Sequence, residues 1–267
     1  MKRRIMITVA YDGTDYHGWQ FQEGVPTIEG ALSARLFDLT GEECVLIGAS
    51  RTDAGVHALG NVAVFDTESR IPAEKFPGAL NARLPGEIRV LKGQEVEGDF
   101  HPRHCHSRKT YEYHILNSPT EDPLRSRYVH WYYGALDTER MRAAAAAFPG
   151  EHDFTSFCSV HAQSETRVRR ICSLDVLTEP AQGEGREIVI RVTGTGFLYN
   201  MVRIIAGTLL DVGRGQTAAE AMEGIILGRD RALAGPTAPA KGLTLKKIEF
   251  PEGLRCDGAG KEREVES

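Results

Sequence analysis

The chain has 267 residues, 41% of them apolar, enough to bury a sizeable core as one large domain or as two closely packed halves. No uninterrupted apolar run approaches the roughly 20 residues of a membrane-spanning helix, so a helical membrane protein is excluded. A net charge of −5 weighs against a surface that is basic all round; a nucleic-acid partner would need a locally basic cleft on an acidic body.

Met1-Lys2-Arg3-Arg4 is basic, but residues 5–10 alternate and lead into Tyr-Asp-Gly, so residues 5–11 read as a first strand and not as a signal segment. Thr27 is placed to cap a helix whose apolar face is Ile28, Leu32 and Leu36 and which ends at Gly41. Short aliphatic runs at 44–47 and 62–65 read as strands, 72–84 as a second helix and 87–96 as another strand. The second half has a similar rhythm, which points to a duplicated α+β unit. In it, Tyr111, Tyr113 and Ile115 share one face of a strand, and Glu112, His114 and Leu116 share the other. Residues 137–148 form an alanine-rich helix stopped by Pro149-Gly150. Residues 168–177 and 188–192 flank a Gly/Pro-containing stretch and make an antiparallel pair. Helices follow at 197–210 and 218–227, then a last strand at 243–250. From Cys256 the chain is polar and glycine-containing, and is expected to be disordered.

No Pro/Ser-rich linker is present. The expected division is residues 1–105 and 106–255, with a tail at 256–267. The expected fold class is α+β, with both halves joined in one mostly antiparallel mixed sheet, helices over one face and a cleft between the halves.

Cys44, Cys105, Cys158, Cys172 and Cys256 are odd in number and lack C-x-x-C spacing, so free thiols in a reducing, cytoplasmic compartment are expected. His101, His104, Cys105 and His106 are metal-ligating types, but their spacing fits no common zinc motif. No metal is expected there, and RNA contact or a solvated loop is the preferred reading. The glycines Gly13, Gly18, Gly194 and Gly196 do not follow a strand–loop–helix pattern, so no dinucleotide or ATP site is expected.

Between the strands at 44–47 and 62–65 lies a polar loop, residues 48–58, held by core elements as catalytic loops tend to be. Its Asp53 has a cation, Arg51, two residues away. The bland reading makes Asp53 a turn former whose carboxylate accepts local backbone N–H bonds. The stretch Ser50-Arg51-Thr52-Asp53-Ala54-Gly55-Val56-His57-Ala58, however, resembles the active-site motif of the tRNA pseudouridine synthase A family. Tyr11-Asp12-Gly13-Thr14 with Gly18-Trp19-Gln20, then Lys109-Thr110-Tyr111-Glu112-Tyr113, Gly196-Phe197-Leu198-Tyr199-Asn200-Met201-Val202-Arg203 and Ala238-Pro239-Ala240-Lys241-Gly242-Leu243 resemble the rest of its signature, in order. The likeness runs from about residue 5 to residue 250.

Arg203 lies on a segment that is apolar almost all round. A buried guanidinium there needs an anion, and Asp53 is a natural partner. A snorkelling arginine, or one paired with a structural carboxylate, is the alternative. The resemblance implies the Asp53–Arg203 pair. Tyr111, at the start of its strand, can turn its ring into the cleft; periodicity alone reads it as a core tyrosine, whereas the resemblance implies contact with the target base. Arg51 is read as filling the space left by a flipped nucleotide or holding a phosphate, against a plain solvated loop cation. His57 is assigned no role: a lone loop histidine beside Ala58 is more often structural, and the resemblance does not imply a general base there. Val56, Phe197 and Leu243 are candidates to wall the base pocket.

The resemblance implies the pseudouridine synthase fold and isomerisation of uridine to pseudouridine in the anticodon arm of tRNA, at tRNA positions 38, 39 and 40. The N1–C1′ bond breaks, uracil turns, and C5 bonds to C1′, with no cofactor. Asp53 would attack C1′ or C6, or remove the C2′ proton; the sequence does not choose. A homodimer with tRNA lying across both subunits is implied as well. Two rivals stand beside this reading: a non-catalytic tRNA-binding or folding chaperone, which would not require an Asp–Arg pair, and a glycosidic hydrolase, which usually needs a second carboxylic acid that no motif supplies.

Overall fold

The computed structural model describes residues 2–181 and 183–251. In chain order its strands and helices are β1 (Arg3–Tyr11), α1 (Ile28–Thr40), β2 (Ile47–Gly48), β3 (His57–Thr67), α2 (Phe76–Asn81), β4 (Ile88–Val96), β5 (Arg108–Asn117), β6 (His130–Tyr132), α3 (Thr138–Ala145), β7 (Gly150–Asp153), β8 (Val168–Pro180), β9 (Arg186–Gly194), α4 (Met201–Gly213), α5 (Met222–Gly228) and β10 (Leu243–Glu249). The strands form one sheet in the order β4-β1-β3-β10-β5-β9-β8-β7, with β2 on β3 and β6 on β5. Among the described residues only β10 on β3 and β6 on β5 pair in parallel. This is the mostly antiparallel mixed α+β arrangement expected.

The last strand is the seam. β10 runs antiparallel along β5 but meets β3 only at Thr244↔His57 and Leu245↔Ala58. Those two β3 residues follow directly on the loop that carries Asp53, so the loop is rooted where the two halves of the sheet join.

Strand alternation sets the core. Ile5, Ile7 and Val9 of β1 and Ala63 and Phe65 of β3 are buried with Ile28, Leu32 and Leu36 of α1 and Phe76 and Leu80 of α2. The opposite face of the same strands packs Met6, Val62 and Val64 against Ala49 and Phe100. Helix α1 starts and stops as its sequence requires: the Thr27 hydroxyl accepts from Gly30 N at 3.2 Å, and Gly41 takes the left-handed φ of 73°.

Several boundaries differ from expectation. Residues 44–46 do not pair as strand: Cys44 N turns back to Glu42 O, Val45 is exposed, and β2 is confined to Ile47–Gly48. The expected helix at 72–84 is a 3-10 turn, Ala73–Lys75, followed by the short α2, because Pro77 lacks an N–H and is tolerated only in a helix's first turn. Helix α4 begins at Met201 and not at 197, since Asn200 sits at φ 61°. The short strands β6 and β7 carry polar or mixed residues and gave no periodic signal. Cys44, Cys158 and Cys172 are free, whereas Cys105 is disulfide-bonded, which corrects the expectation of free thiols throughout. The expected tail at 256–267 lies outside the described residues.

Candidate active site

The Asp53 loop is pinned from below before its side chain does anything. Asn61, a fully buried polar residue just before the apolar run of β3, donates to Ser50 O at 3.0 Å and to the Tyr11 hydroxyl at 3.2 Å. The Tyr11 hydroxyl in turn bonds Thr52 Oγ1 at 2.8 Å. Trp19 N donates to Thr52 O at 3.0 Å. Gly18, at φ 86°, lies so close that a Cβ there would stand 2.5 Å from Thr52 O, so the Tyr11–Gln20 segment packs against the loop only with glycine at that position. Sequence reasoning gave no role to Asn61; its signal was a polar residue set just before the apolar run Val62-Ala63-Val64-Phe65 on a central strand.

The carboxylate of Asp53 is not spent on the turn. Val56 N closes the turn on the Asp53 backbone carbonyl at 3.1 Å. Among the described residues the side chain's only hydrogen-bond partner is Arg203, whose Nη1 lies 3.5 Å from Oδ2. Burial pushes the Asp53 carboxyl above the usual carboxylate range, and the Arg203 charge pulls it back part of the way.

Arg203 is held as firmly as the loop. It sits in the first turn of α4, donates through Nε to Ala238 O at 2.8 Å and through Nη1 to Asn200 Oδ1 at 2.9 Å. Its own carbonyl accepts from Ala238 N at 3.1 Å. The segment around Ala238 reaches α4 this closely because residue 207 is glycine; a Cβ there would be 1.8 Å from Pro236 O. The left-handed turn at Asn200 places its amide oxygen beside the guanidinium, a contact that sequence reasoning missed.

Tyr111 reaches the same place from β5. Its hydroxyl bonds Ser50 Oγ at 2.7 Å, and its ring meets Phe197 edge to face at 5.1 Å. Burial pushes the phenol up to about 12, against the bond from Ser50, so it stays protonated at neutral pH. Asp53, Tyr111 and Arg51 all line one cleft of about 860 Å³, together with Val56, Phe197 and Leu243. Arg203 stands behind Asp53 and is not among the lining residues. Arg51 is exposed.

His57 is elsewhere. It is 4% exposed, its Nδ1 accepts from Gly13 N at 3.1 Å, and its Nε2 bonds Arg127 O at 3.0 Å. It lines a second cavity and braces the turn after β1. The rings of His101 and His104 stack at 3.8 Å, and the disulfide at Cys105 withdraws that sulfur from metal ligation. Among the described residues no group of three or more His, Cys, Asp or Glu is arranged to hold a metal ion.

The sequence profile of the family described as tRNA pseudouridine synthase matches residues 7–104 and 144–251. A tRNA pseudouridine synthase A from Caldicellulosiruptor bescii is 44% identical over 248 residues, covering 93% of this chain and 100% of that protein. One from Ruminiclostridium cellulolyticum is 45% identical over 249 residues, with the same coverage, and one from Moorella thermoacetica is 44% identical over 248 residues, covering 92% of this chain and 99% of that one. The matched residues lie on both sides of the seam and include every side chain placed in the cleft above except Tyr111 and its neighbours on β5, which the full-length relatives cover; the chain belongs to the tRNA pseudouridine synthase family.

Proposed function

We propose that this enzyme isomerises uridine to pseudouridine in the anticodon arm of tRNA, at positions 38 to 40, and that the Asp53 carboxylate begins the reaction. Membership of the tRNA pseudouridine synthase family gives the reaction class, an isomerase acting on uridine in tRNA. The observation that carries the part of Asp53 is its isolation: a carboxylate lining a cleft, with an arginine as its sole side-chain partner and no local backbone bond among the described residues.

Each route to pseudouridine needs one ionised carboxylate at a fixed position beside the ribose and base. Arg203 favours the ionised form that burial opposes, and its two other bonds fix where that charge lies. Oδ1 of Asp53 has no hydrogen-bond partner among the described residues, which leaves it free to attack carbon or take a proton. The ring of Tyr111, set edge-on to Phe197, offers the detached uracil a flat apolar surface on which to turn without fixing one orientation. The phenol, kept neutral, serves as a hydrogen-bond group toward Ser50 and not as a base. Arg51, exposed at the rim, is suited to the gap left by the flipped nucleotide or to a phosphate.

The charged side chains lining the cleft are Arg51, Arg103, Lys109 and Arg169 against the single carboxylate Asp53. This local excess supports RNA binding by a chain whose net charge is −5. A homodimer that lays one tRNA across two such clefts fits this reading. Residence in the cytoplasm is supported by the free thiols of Cys44, Cys158 and Cys172, with the Cys105 disulfide weighing the other way. No helix of the described residues is long and apolar enough to cross a membrane.

The test is to map pseudouridine by carbodiimide treatment and primer extension in unmodified transcripts whose uridines are confined to one arm at a time. Stops at anticodon-arm uridines are expected; modification of another arm instead would overturn the site assignment. Gel filtration at micromolar concentration checks the dimer, and a monomer peak would contradict it.

A further inference from the structure

The reaction as described uses Asp53, Arg203 and Tyr111, but leaves a half-buried lysine in the cleft wall unexplained. Lys109 lies on β5 two residues before Tyr111, so both side chains share a face with their Cα atoms about 7 Å apart. Its ammonium donates to Ala49 O at 2.7 Å, the residue at which the Asp53 loop leaves the sheet. That bond uses one of three N–H groups. No carboxylate among the described residues lies within ion-pair distance of Lys109, nor of Arg103 or Arg169, the other two cations on this stretch of the wall. Arg103 belongs to the segment before β5 and is exposed; Arg169 belongs to β8 and uses its guanidinium on the carbonyls of Thr166 and Val168.

Arg103 and Arg169 line the same cleft as Lys109 and each repels its charge, an unfavourable arrangement with no counter-charge among the described residues. Burial, together with Arg103 and Arg169, pushes the Lys109 ammonium down to about 8. Elsewhere in the fold such groups are neutralised: Arg191 and Lys246 share Glu112, and Arg125 takes Glu187. A multiply bonded anion would offset the repulsion here, and the anion that RNA brings next to every base is a backbone phosphate.

We infer that Lys109, flanked by Arg103 and Arg169, is the subsite for a backbone phosphate beside the flipped uridine, and that through Ala49 the same ammonium links the seated phosphate to the root of the Asp53 loop. The inference rests on the reading of the cleft as the tRNA site. It makes Lys109 a binding and positioning residue: one N–H holds the loop, the others take the phosphate, and proton uptake on the lysine accompanies binding.

The experiment measures tRNA affinity over a series of KCl concentrations, with kcat and KM, for the full-length wild type, Lys109→Met, Lys109→Arg and Arg103→Gln, using an unmodified tRNA transcript. Lys109→Met and Arg103→Gln are each expected to reduce the slope of log affinity against log salt by about 0.7, the value for one phosphate contact on a single strand. Lys109→Met should also raise KM more than it lowers kcat. Wild-type affinity should fall as pH rises past about 8, where the ammonium facing Arg103 and Arg169 loses its proton. Lys109→Met should lack that fall, and Lys109→Arg, which keeps its charge, should bind equally on both sides of it. Unchanged salt slopes in Lys109→Met and Arg103→Gln, with only kcat reduced, would overturn the inference and leave Lys109 as a prop for Ala49. Arg103→Gln is exposed, so it decides the matter even if Lys109→Met does not fold. Wild type that makes no pseudouridine would overturn the functional reading itself, whereas wild-type product with unchanged slopes overturns the phosphate subsite alone.

Discussion

Strand β5 has a cavity on each face, and the two differ in how their charges are settled. On the side of Glu112 and His114, a cavity of about 660 Å³ is lined by charges in balance, Asp12, Glu87 and Glu112 with Arg89, Arg127 and Lys246, and further ion pairs lie along the same strand face. Glu112 meets Arg191 at 2.8 Å, Lys246 at 3.3 Å and His114 at 3.6 Å, while Glu187 takes His114 and Arg125 at 2.7 Å each. On the side of Lys109 and Tyr111, four cations line the cleft against one carboxylate, and that carboxylate is paired from behind. The neutralised face needs no ligand to balance it; on the proposed reading, the unbalanced face is completed by an RNA that brings negative charge and a planar base. Neighbouring residues of one strand thus face two differently balanced cavities, which the proposed function assigns to structure and to chemistry, because the side-chain period is two.

The sharpest way to break this contrast is at the pair behind the cleft. Arg203→Met is expected to lower kcat by about 10²-fold, the cost of losing the fixed position of a reacting group. Asp53, with burial no longer opposed by the guanidinium, should titrate higher, so the acid limb of the pH–rate profile moves to higher pH. A kcat within threefold of wild type, or an unmoved limb, would sever Arg203 from the chemistry. Tyr111→Phe keeps the ring but loses the bond to Ser50. A fall of about fivefold to tenfold in kcat is expected, the kinetic equivalent of about 1 kcal/mol.

On the other face the effects should appear in stability and not in rate. Glu112→Gln removes the charge shared by Arg191 and Lys246, and denaturant unfolding should show a loss of about 1 kcal/mol, moderated because solvent reaches both cations. Burial opposes ionisation of Glu112, but Arg191 and Lys246 outweigh it and hold the carboxyl below its usual range. Its stabilising contribution is therefore present at neutral pH and lost as pH falls through the folded-state value, so wild type and variant should converge in acid. A strong loss of activity at unchanged stability would erase the distinction between the faces. Asp53→Asn should behave in the opposite sense. A carboxyl whose folded-state pKa is raised favours the protonated state, and stability is lost as pH rises through that value. The variant should melt slightly higher than wild type at neutral pH, with the gap closing in acid.

Much of this was legible in the sequence where periodicity was strong. The apolar faces of α1 and β1, the cap at Thr27 and the division of β5 between Tyr111 and Glu112 all follow from spacing. The insertion of β10 between the two halves was not legible, because no local pattern says which strands a segment will join. Nor was the start of α4, where the apolar run 197–199 resembles helix but Asn200 takes a left-handed turn that sets its oxygen on Arg203. The roles of Ser50, Asn61 and Lys109 depend on partners tens of residues away, and only the fold brings those together. For Asp53, loop chemistry alone favoured a turn former; the turn exists, but it is made by the backbone carbonyl and leaves the carboxylate to Arg203.

The most direct measurement is to incubate wild type and Asp53→Asn with the same unmodified tRNA transcript, and to follow both tRNA binding and pseudouridine formation. Pseudouridine from wild type, a loss on the order of 10⁴-fold or more in Asp53→Asn and equal tRNA binding by both is the predicted result. Product formed by Asp53→Asn at a rate near that of wild type would contradict a reaction begun by this carboxylate.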